Sequence, residues 1–293
     1  MTFAAFLGSL ELGMIYAVLA LGVFLSFRTL NMPDLTVDGS IVTGMAIAAV
    51  ICSRGGNPFL ALIGAALGGA AAGLVTGLLH TKLKIQAILA GILVMLAAYS
   101  VNLRIMGKTP NIPLTKSVTV YKLADEILPK KYAGILLGVI ILAVIIALLF
   151  LFLKTRLGFV FRATGDNEDM VKACGVSCDS MKLLGPALSN GLVGLAGGLL
   201  AQNQGFADIN MGRGAIVIGL AAVIIGEAVF GRIFRNFGFR LLGVVFGSII
   251  YYLVLQVVIW MGIDTDLLKL LSAVVVAIFL AIPTWKSRYL TKG

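Results

Sequence analysis

The chain alternates between long apolar stretches and short polar connections. The most apolar stretch, from Gly134 to Leu153, contains no polar side chain. About 20 mostly apolar residues form a helix long enough to cross the hydrocarbon of a bilayer. The pattern therefore predicts membrane spans at about residues 9–27, 59–79, 85–103, 134–153, 183–203, 214–230, 237–260 and 267–284.

A further apolar run, at about residues 39–52, is short for a complete crossing. It fits either a short tilted helix or a helix that other helices enclose. With this run included, we predict an all-α integral membrane protein with about nine transmembrane helices (eight to ten). Residues 1–293 then form a single transmembrane domain.

Basic residues in the connections indicate the orientation of the spans. With the C-terminus inside, the inner segments carry fourteen Lys and Arg and the outer segments carry eight, which agrees with the positive-inside rule. Six of the eight outer residues lie in 104–132, where Pro110, Pro113 and Pro129 predict an irregular loop on the surface. We predict that the N-terminus is outside and the C-terminus inside.

Two features bear on how the spans pack. Glycines at positions 64, 68, 69, 73 and 77 form a small-residue groove, which favours close helix packing within a subunit or, alternatively, an interface between subunits. Residues 39–51 also match residues 214–226 at five of thirteen positions. These two segments belong to the second and seventh predicted spans, so they would run in opposite directions, as in the inverted repeats of many transporters.

The composition agrees with a membrane protein and excludes several other classes. Of the 293 residues, 60% are hydrophobic and 12% are charged, whereas soluble domains contain about 45–50% apolar and about 25% charged residues. The formal net charge is +10, but the basic residues are dispersed between apolar runs, so we expect no nucleic-acid partner. The three cysteines form no CxxC pair and predict no disulfide framework.

The sequence contains no recognisable catalytic constellation. His80 is the only histidine, which excludes HExxH and Ser-His-Asp arrangements. Cys174 and Cys178 lack a third ligand nearby, so we expect no metal site. Residues 107–109 (Gly-Lys-Thr) resemble the end of a phosphate-binding loop, but Asn102 stands where that loop requires glycine. We therefore expect neither enzymatic activity nor a cofactor on this chain.

The most charged connection, residues 154–182, contains five basic and four acidic residues and lies on the predicted inner side. Within it, residues 166–175 predict one short helix. We expect Asp166 to cap its N-terminus, Glu168 to favour the positive end of its dipole, and Gly175 to supply the left-handed turn that ends it. Such a helix suits the transmission of force from a partner, and a solvated loop helix without a partner fits equally well.

At this point the sequence resembles a known family. Residues 161–168 (FRATGDNE) and 188–192 (LSNGL) resemble the inner-membrane permeases of ABC importers in the branched-chain amino acid and ribose permease superfamily. Residues 30–40 (LNMPDLTVDGS), 201–208 (AQNQGFAD) and 224–227 (IIGE) are similar to the subgroup described as tryptophan/tyrosine-type uptake permeases.

The resemblance extends over about residues 10–285, without a match for 104–132. It implies an inverted-repeat, type II-like importer permease fold in the bacterial cytoplasmic membrane. It also implies a second permease subunit (a homodimer), a cytoplasmic ATPase dimer that binds ATP and Mg²⁺, and an extracytoplasmic binding protein that delivers the solute. The family's coupling helix docks in a groove of the ATPase, and this role falls here on Arg162, Asp166, Asn167, Glu168, Met170, Ala173 and Gly175.

Polar residues in or near the apolar runs are candidates for lining a solute pathway. They are Asp34, Thr36, Asp38, Ser40, Gln86, Asn102, Asn190, Gln202 and Gln204. Asp38 or Ser40 instead fits an N-cap of the second span, and the amides, with Asn203, fit hydrogen bonds between helices. Four aromatic residues fit stacking on an aromatic solute, although anchoring at the lipid interface explains such residues more often: Tyr99, Tyr251, Tyr252 and Trp260.

Two further charges have plain interpretations. For Glu227 we expect a local ion pair with Arg232 or Arg235 and not a proton relay, and Lys269 is expected to extend to the membrane surface.

Our leading hypothesis is the permease subunit of an ATP-driven importer for an aromatic amino acid or a related small organic solute. The alternatives are import of a sugar or nucleoside, an ion-coupled secondary carrier that uses Asp34, Asp38 or Glu227, and, less favoured, a membrane-embedded enzyme.

Overall fold

The computed structural model describes residues 3–127, 129, 132–231 and 237–261, together with positions 270, 273, 274 and 277. Over these residues the fold is helical apart from two short strands. The helices are α1 (Phe3–Val23), α2 (Val37–Ser53), α3 (Pro58–Thr81), α4 (Ala87–Ile105), α5 (Val120–Ile127), α6 (Ala133–Lys154), α7 (Arg156–Asp166), α8 (Glu168–Ala173), α9 (Cys178–Gln204), α10 (Ala215–Phe230) and α11 (Phe237–Trp260). A π-helical turn, Phe24–Thr29, extends α1.

Eight of the predicted spans are present as helices. Six of the helices are long and apolar enough to cross a membrane, and α2 and α10 are shorter apolar helices. The short run at 39–52 thus forms a helix, α2, most of whose residues are buried. The predicted span 267–284, of which four positions are described, and the side chains of Lys269, Arg232 and Arg235 lie outside the described residues.

The stretch 104–132 is more ordered than the sequence predicted. Strand β1 (Asn111–Pro113) pairs antiparallel with β2 (Phe206–Asp208), and Ile112 lies opposite Ala207. Helix α5 follows, and Leu114 and Val120 are buried. The prediction that this stretch is irregular was therefore wrong, because a distant segment, β2, supplies hydrogen bonds that the local sequence does not reveal. Its predicted place on the surface is confirmed, since most of its described residues are exposed. Pro113 is tolerated since it ends the strand.

The helices pack as two related halves. Helices α1 and α9 contact each other at the centre, α3 packs against α9, and α11 packs in the same way against α1. The pairs α2–α3 and α10–α11 also correspond. The two halves differ at the ends of these helices. Helix α2 is followed directly by α3, whereas Glu227, near the end of α10, pairs with Arg28 after α1. The predicted repeat of 39–51 and 214–226 thus coincides with helices in matching positions of two halves.

Glycines allow the central helices to approach closely. A Cβ atom on Gly73 would overlap the carbonyl oxygen of Pro186 in α9, and one on Gly69 would overlap that of Asn190. Likewise, a Cβ atom on Gly44 would overlap the backbone of Gly194. Gly64 and Gly68 face Ile47 of α2 instead. The glycine groove of α3 is therefore filled by α9 and α2 of the same chain, which confirms the interpretation of packing within one subunit.

Candidate functional site: a polar pocket and the predicted coupling segment

The turn between α1 and α2 is held by a buried carboxylate. Asp34 Oδ1 accepts a hydrogen bond from the backbone N–H of Thr36 at 2.9 Å, and Oδ2 accepts one from Asn190 Nδ2 at 2.5 Å. The hydroxyl of Thr36 lies 2.6 Å from that of Thr76 in α3. Asp34, Thr36 and Asn190 are each at most 1% exposed. Three of the predicted pathway residues therefore form a buried hydrogen-bond network that fixes the start of α2.

Asp38, in the first turn of α2, caps a different helix. Its carboxylate oxygens accept hydrogen bonds from the backbone N–H groups of Gly214 at 2.9 Å and Ile216 at 2.8 Å, at the start of α10. The N-cap of α2 is Thr36, which makes no side-chain cap bond, and Ser40 makes none either. The expectation that Asp38 or Ser40 caps α2 was wrong, because the free N–H groups of α10 lie within reach.

A polar pocket of about 490 Å³ opens between α2, α4 and the segment before α10. Asp38 and Asn102 line it, and so does Arg213. The Nδ2 atom of Asn102 donates to the carbonyl of Gly39 at 3.3 Å, while its buried Oδ1 has no hydrogen-bond partner in the described part of the chain. Apolar and aromatic side chains complete the wall, among them Met95, Leu96 and Tyr99.

The other predicted pathway residues lie elsewhere. Gln202 is buried, and both ends of its amide are engaged: Oε1 accepts from the N–H of Val120 and Nε2 donates to the carbonyl of Pro58. Gln86 and Gln204 are exposed, at the start of α4 and the end of α9. Sequence reasoning counted Arg213 only as an outer charge. A lone arginine directly before an apolar run was the one signal for its place in the pocket.

The predicted coupling helix is divided into two helices. Helix α7 ends at Asp166, and the side chain of Asn167 caps α8 by accepting a hydrogen bond from the N–H of Met170 at 3.0 Å. The prediction that Asp166 is the cap was wrong, because residues 156–166 already form a helix and Asn167, with an extended backbone, separates the two. Gly175 has a φ angle of +77° and supplies the predicted left-handed turn.

Ion pairs hold α8 against the start of α9. Glu168 lies 2.8 Å from Lys172 Nζ and 2.6 Å from Lys182 Nζ. Hydrogen bonds from Lys172, the larger effect, and from Lys182 lower the pKa of Glu168 to about 2. The carboxylate is therefore charged at every physiological pH, and it joins α8 to the span that follows.

Most of the predicted ATPase-contacting residues are free on the surface. Arg162 is half-buried, with its guanidinium 4.6 Å from the ring centroid of Phe159, and Glu168 is engaged as described. The remaining members of the set are exposed: Asp166, Asn167, Met170, Ala173 and Gly175. Residues 166–175 thus present a polar surface with one large exposed apolar side chain, Met170, which is 57% exposed.

The predicted coupling segment, residues 154–182, packs directly against the α1–α2 turn. A Cβ atom on Gly165 would overlap the backbone at Thr29 and Leu30, so no larger residue fits there. A cavity of about 410 Å³ beside this contact is lined by residues of both segments, including Met32 and Glu168. Displacement of the coupling segment would therefore act on the turn that carries Asp34 and leads into Asp38.

Glu227 pairs with a residue that the sequence did not indicate. Its Oε1 lies 2.6 Å from Arg28 Nε, which joins the end of α10 to the π-helical turn after α1. The expected partners, Arg232 and Arg235, lie outside the described residues. Within the described ranges, no three His, Cys, Asp or Glu residues are grouped in a way that fits a metal ion.

Sequence comparison identifies the family of the chain. A profile described as "Branched-chain amino acid transport system / permease component" matches residues 5–282. A tyrosine transport system permease protein of Clostridioides difficile is 41% identical over 271 residues, which is 92% of this chain and 88% of the relative. A ribose import permease protein, RbsC, of Escherichia coli is 28% identical over 62% of this chain and 56% of the relative.

A probable branched-chain amino acid transport permease protein, LivH, of Methanocaldococcus jannaschii is 27% identical over 66% of this chain and 64% of the relative. No solved structure matches significantly. The profile covers nearly the whole chain, and these named relatives are transport permeases and not catalytic enzymes. The chain is therefore a multi-pass membrane protein that belongs to the permease components of the branched-chain amino acid transport family, within the ABC transporter permeases.

Proposed function

We propose that this chain is the membrane-spanning subunit of an ATP-driven importer that carries an aromatic amino acid or a related small organic solute. The observation that carries the proposal is the contact of the coupling segment with the α1–α2 turn, described above for Gly165 and Leu30. That turn leads through Asp34 and Thr36 into Asp38, which lines the polar pocket. A force applied to the coupling segment thus has a short, packed route to the pocket.

The proposed assembly follows from the family. Two copies of this chain form the pathway, and a cytoplasmic ATPase dimer, which binds ATP and Mg²⁺, docks on the surface formed by Asp166, Asn167, Met170, Ala173 and Gly175. An extracytoplasmic binding protein delivers the solute. The chain lies in a bacterial cytoplasmic membrane with its N-terminus outside and its C-terminus inside, so that the coupling segment faces the ATPase.

The proposed solute class is supported by the relative named for tyrosine transport, which covers 92% of this chain. The relative named for ribose import covers 62% of it at lower identity. A sugar importer is therefore the second candidate. An ion-coupled carrier has less support, because Asp34 and Asp38 are both engaged in hydrogen bonds that fix helix starts.

The deciding experiment is uptake into proteoliposomes. The chain is reconstituted with its ATPase and binding protein, and uptake of labelled L-tyrosine, L-leucine and D-ribose is measured with ATP inside. We expect ATP-dependent uptake of L-tyrosine and none with the chain alone under an ion gradient. Uphill uptake by the chain alone would refute ATP coupling, and preferential uptake of D-ribose would refute the solute class.

A further inference from the structure

The polar pocket between α2 and α4 carries two opposite charges that are not paired with each other. Asp38 and Arg213 both line it, yet neither belongs to an ion pair within the described ranges. The carboxylate of Asp38 already accepts two backbone hydrogen bonds, and a carboxylate has about four acceptor positions in all. Both charges therefore have unused hydrogen-bonding capacity in one pocket.

A buried amide in the same pocket also lacks a partner. Asn102 is 1% exposed, and its Oδ1 has no hydrogen-bond donor among the described residues. A buried polar atom without a partner destabilises the protein, and the penalty is greater where the surroundings are hydrocarbon. A ligand with an N–H donor removes this cost when it binds.

Resting on the proposed function, we propose that this pocket is a transit site for the solute and that it recognises a free α-amino acid as a zwitterion. Arg213 binds the α-carboxylate, and Asp38 with Asn102 Oδ1 binds the α-ammonium group. The two charges of the pocket thus match the two charges that every free amino acid carries and that a sugar lacks.

The wall of the pocket fits a large apolar side chain. Tyr99 is 48% exposed and Leu96 is 63% exposed, and they lie beside Met95. Ring faces and a thioether favour contact with an aromatic ring, and about 490 Å³ is within the range of about 300–1,000 Å³ typical of small-molecule sites. A neutral sugar makes neither of the two charge contacts that the pocket offers, whereas a free amino acid makes both.

Protection of a single cysteine tests the site. Leu96→Cys is introduced into a version of the chain in which Cys52, Cys174 and Cys178 are replaced by alanine, and the assembled transporter is labelled with a thiol reagent. We expect L-tyrosine to slow labelling, tyramine, which lacks the carboxylate, to protect about tenfold more weakly, and D-ribose to have no effect. The matched control is Leu148→Cys, on the exposed side of α6, which L-tyrosine should not protect.

Substitutions of arginine identify the charge that matters. Arg213→Gln should weaken protection by L-tyrosine at least about tenfold, and Arg213→Lys should restore part of it. Arg104→Gln, at the exposed end of α4 and outside the pocket lining, is the control and should leave protection unchanged. Full protection in Arg213→Gln, or protection by D-ribose equal to that by L-tyrosine, overturns the proposal.

The outcome for the pocket is separable from that for the proposed function. If the complete transporter imports L-tyrosine with ATP but L-tyrosine does not slow labelling of the Leu96→Cys variant, the transit site is refuted and the proposed function stands. If no amino acid is imported and D-ribose is, the proposed solute class and the zwitterion site are both refuted.

Discussion

The side-chain amide of Asn190 donates a hydrogen bond of 2.5 Å to the carboxylate of Asp34, across 156 positions of the sequence. The bond joins the turn before α2 to the middle of α9, and both residues are fully buried. Since Asp34 also accepts the N–H of Thr36, one carboxylate fixes the start of α2 and its position on α9. This pair therefore joins the two halves of the fold.

Replacement of Asn190 should destabilise the protein. Asn190→Leu removes the donor that α9 supplies to the buried carboxyl group of Asp34, and a lost hydrogen bond at a buried polar group costs about 1–3 kcal/mol. We expect the thermal midpoint in detergent to fall by about 3–10 °C. In the double variant with Asp34→Asn, the second change should add less than its effect alone, because the two residues share one bond. Additive effects in this cycle would show that the pair is not coupled.

Asp38 should have separable roles in stability and transport. Asp38→Ala removes the cap of α10, which costs about 1 kcal/mol and lowers the thermal midpoint by about 2–4 °C. Asp38→Asn keeps one of the two acceptor oxygens, so its stability should lie between that of Asp38→Ala and that of the parent. It also loses the negative charge, so uptake of L-tyrosine should fall at least as far as in the less stable Asp38→Ala. Equal uptake by Asp38→Asn and the parent would indicate that the residue is a cap alone.

The spans were predictable from the sequence, whereas the roles of single polar residues were not. Hydropathy identified α2 and α10 because an apolar helix must be buried or face lipid whatever its neighbours are. The expected cap residues were wrong at both Asp38 and Asp166. A cap depends on which free N–H groups lie nearby in space, and for Asp38 these belong to a helix 176 positions away.

The pocket shows the same limit. Asp38 and Asn102 were recognisable as unusual because polar groups are costly within apolar runs. Arg213 lies in a connection, where arginine is common, so its position directly before an apolar run was only a weak signal. The stretch 104–132 was misread as irregular, because the pairing of β1 with β2 is a contact between distant segments. Strand β1 follows α4, and α2 contacts α4 as well as both strands. The pairing therefore depends on how these helices pack, which a single sequence does not specify.

The glycine groove should not tolerate a single methyl group. Gly73→Ala places a Cβ atom on the carbonyl of Pro186, so α3 and α9 must separate, and overpacking of this kind costs about 1–3 kcal/mol. We expect a lower thermal midpoint and a lower yield of folded protein. The control is Gly8→Ala in α1, where nothing lies within 4 Å of the added atom. An unchanged midpoint for Gly73→Ala would contradict the close approach of the two helices.

The ion pairs of Glu168 should stabilise the coupling segment over a defined pH range. Because the pKa of Glu168 is lowered from 4.5 to about 2, its contribution is complete above about pH 5 and is lost as the pH falls towards 2. The bond to Glu168 also raises the pKa of Lys172, so the pairs persist to alkaline pH.

Comparison with Glu168→Gln measures this contribution. The midpoint of the variant should lie about 1–3 °C below that of the parent at pH 6–8, and the difference should shrink between pH 5 and 3. The same variant at pH 7 should bind the ATPase subunit more weakly in a pull-down. A difference that is constant down to pH 3 would contradict the lowered pKa.

The pair between Arg28 and Glu227 should matter for transport more than for stability. Both side chains are partly exposed, and exposed ion pairs contribute about 0–1 kcal/mol, so single charge reversals should shift the thermal midpoint by only about 0–4 °C. The pair nevertheless joins the end of α10, whose start bounds the pocket, to the turn that contacts the coupling segment. We expect Arg28→Glu or Glu227→Arg alone to reduce ATP-driven uptake several-fold, because like charges then separate these ends.

The exchanged double variant should recover uptake, and salt should weaken its advantage over the single variants. If the double variant is as impaired as either single variant, the two residues act independently and the pair does not connect the two ends.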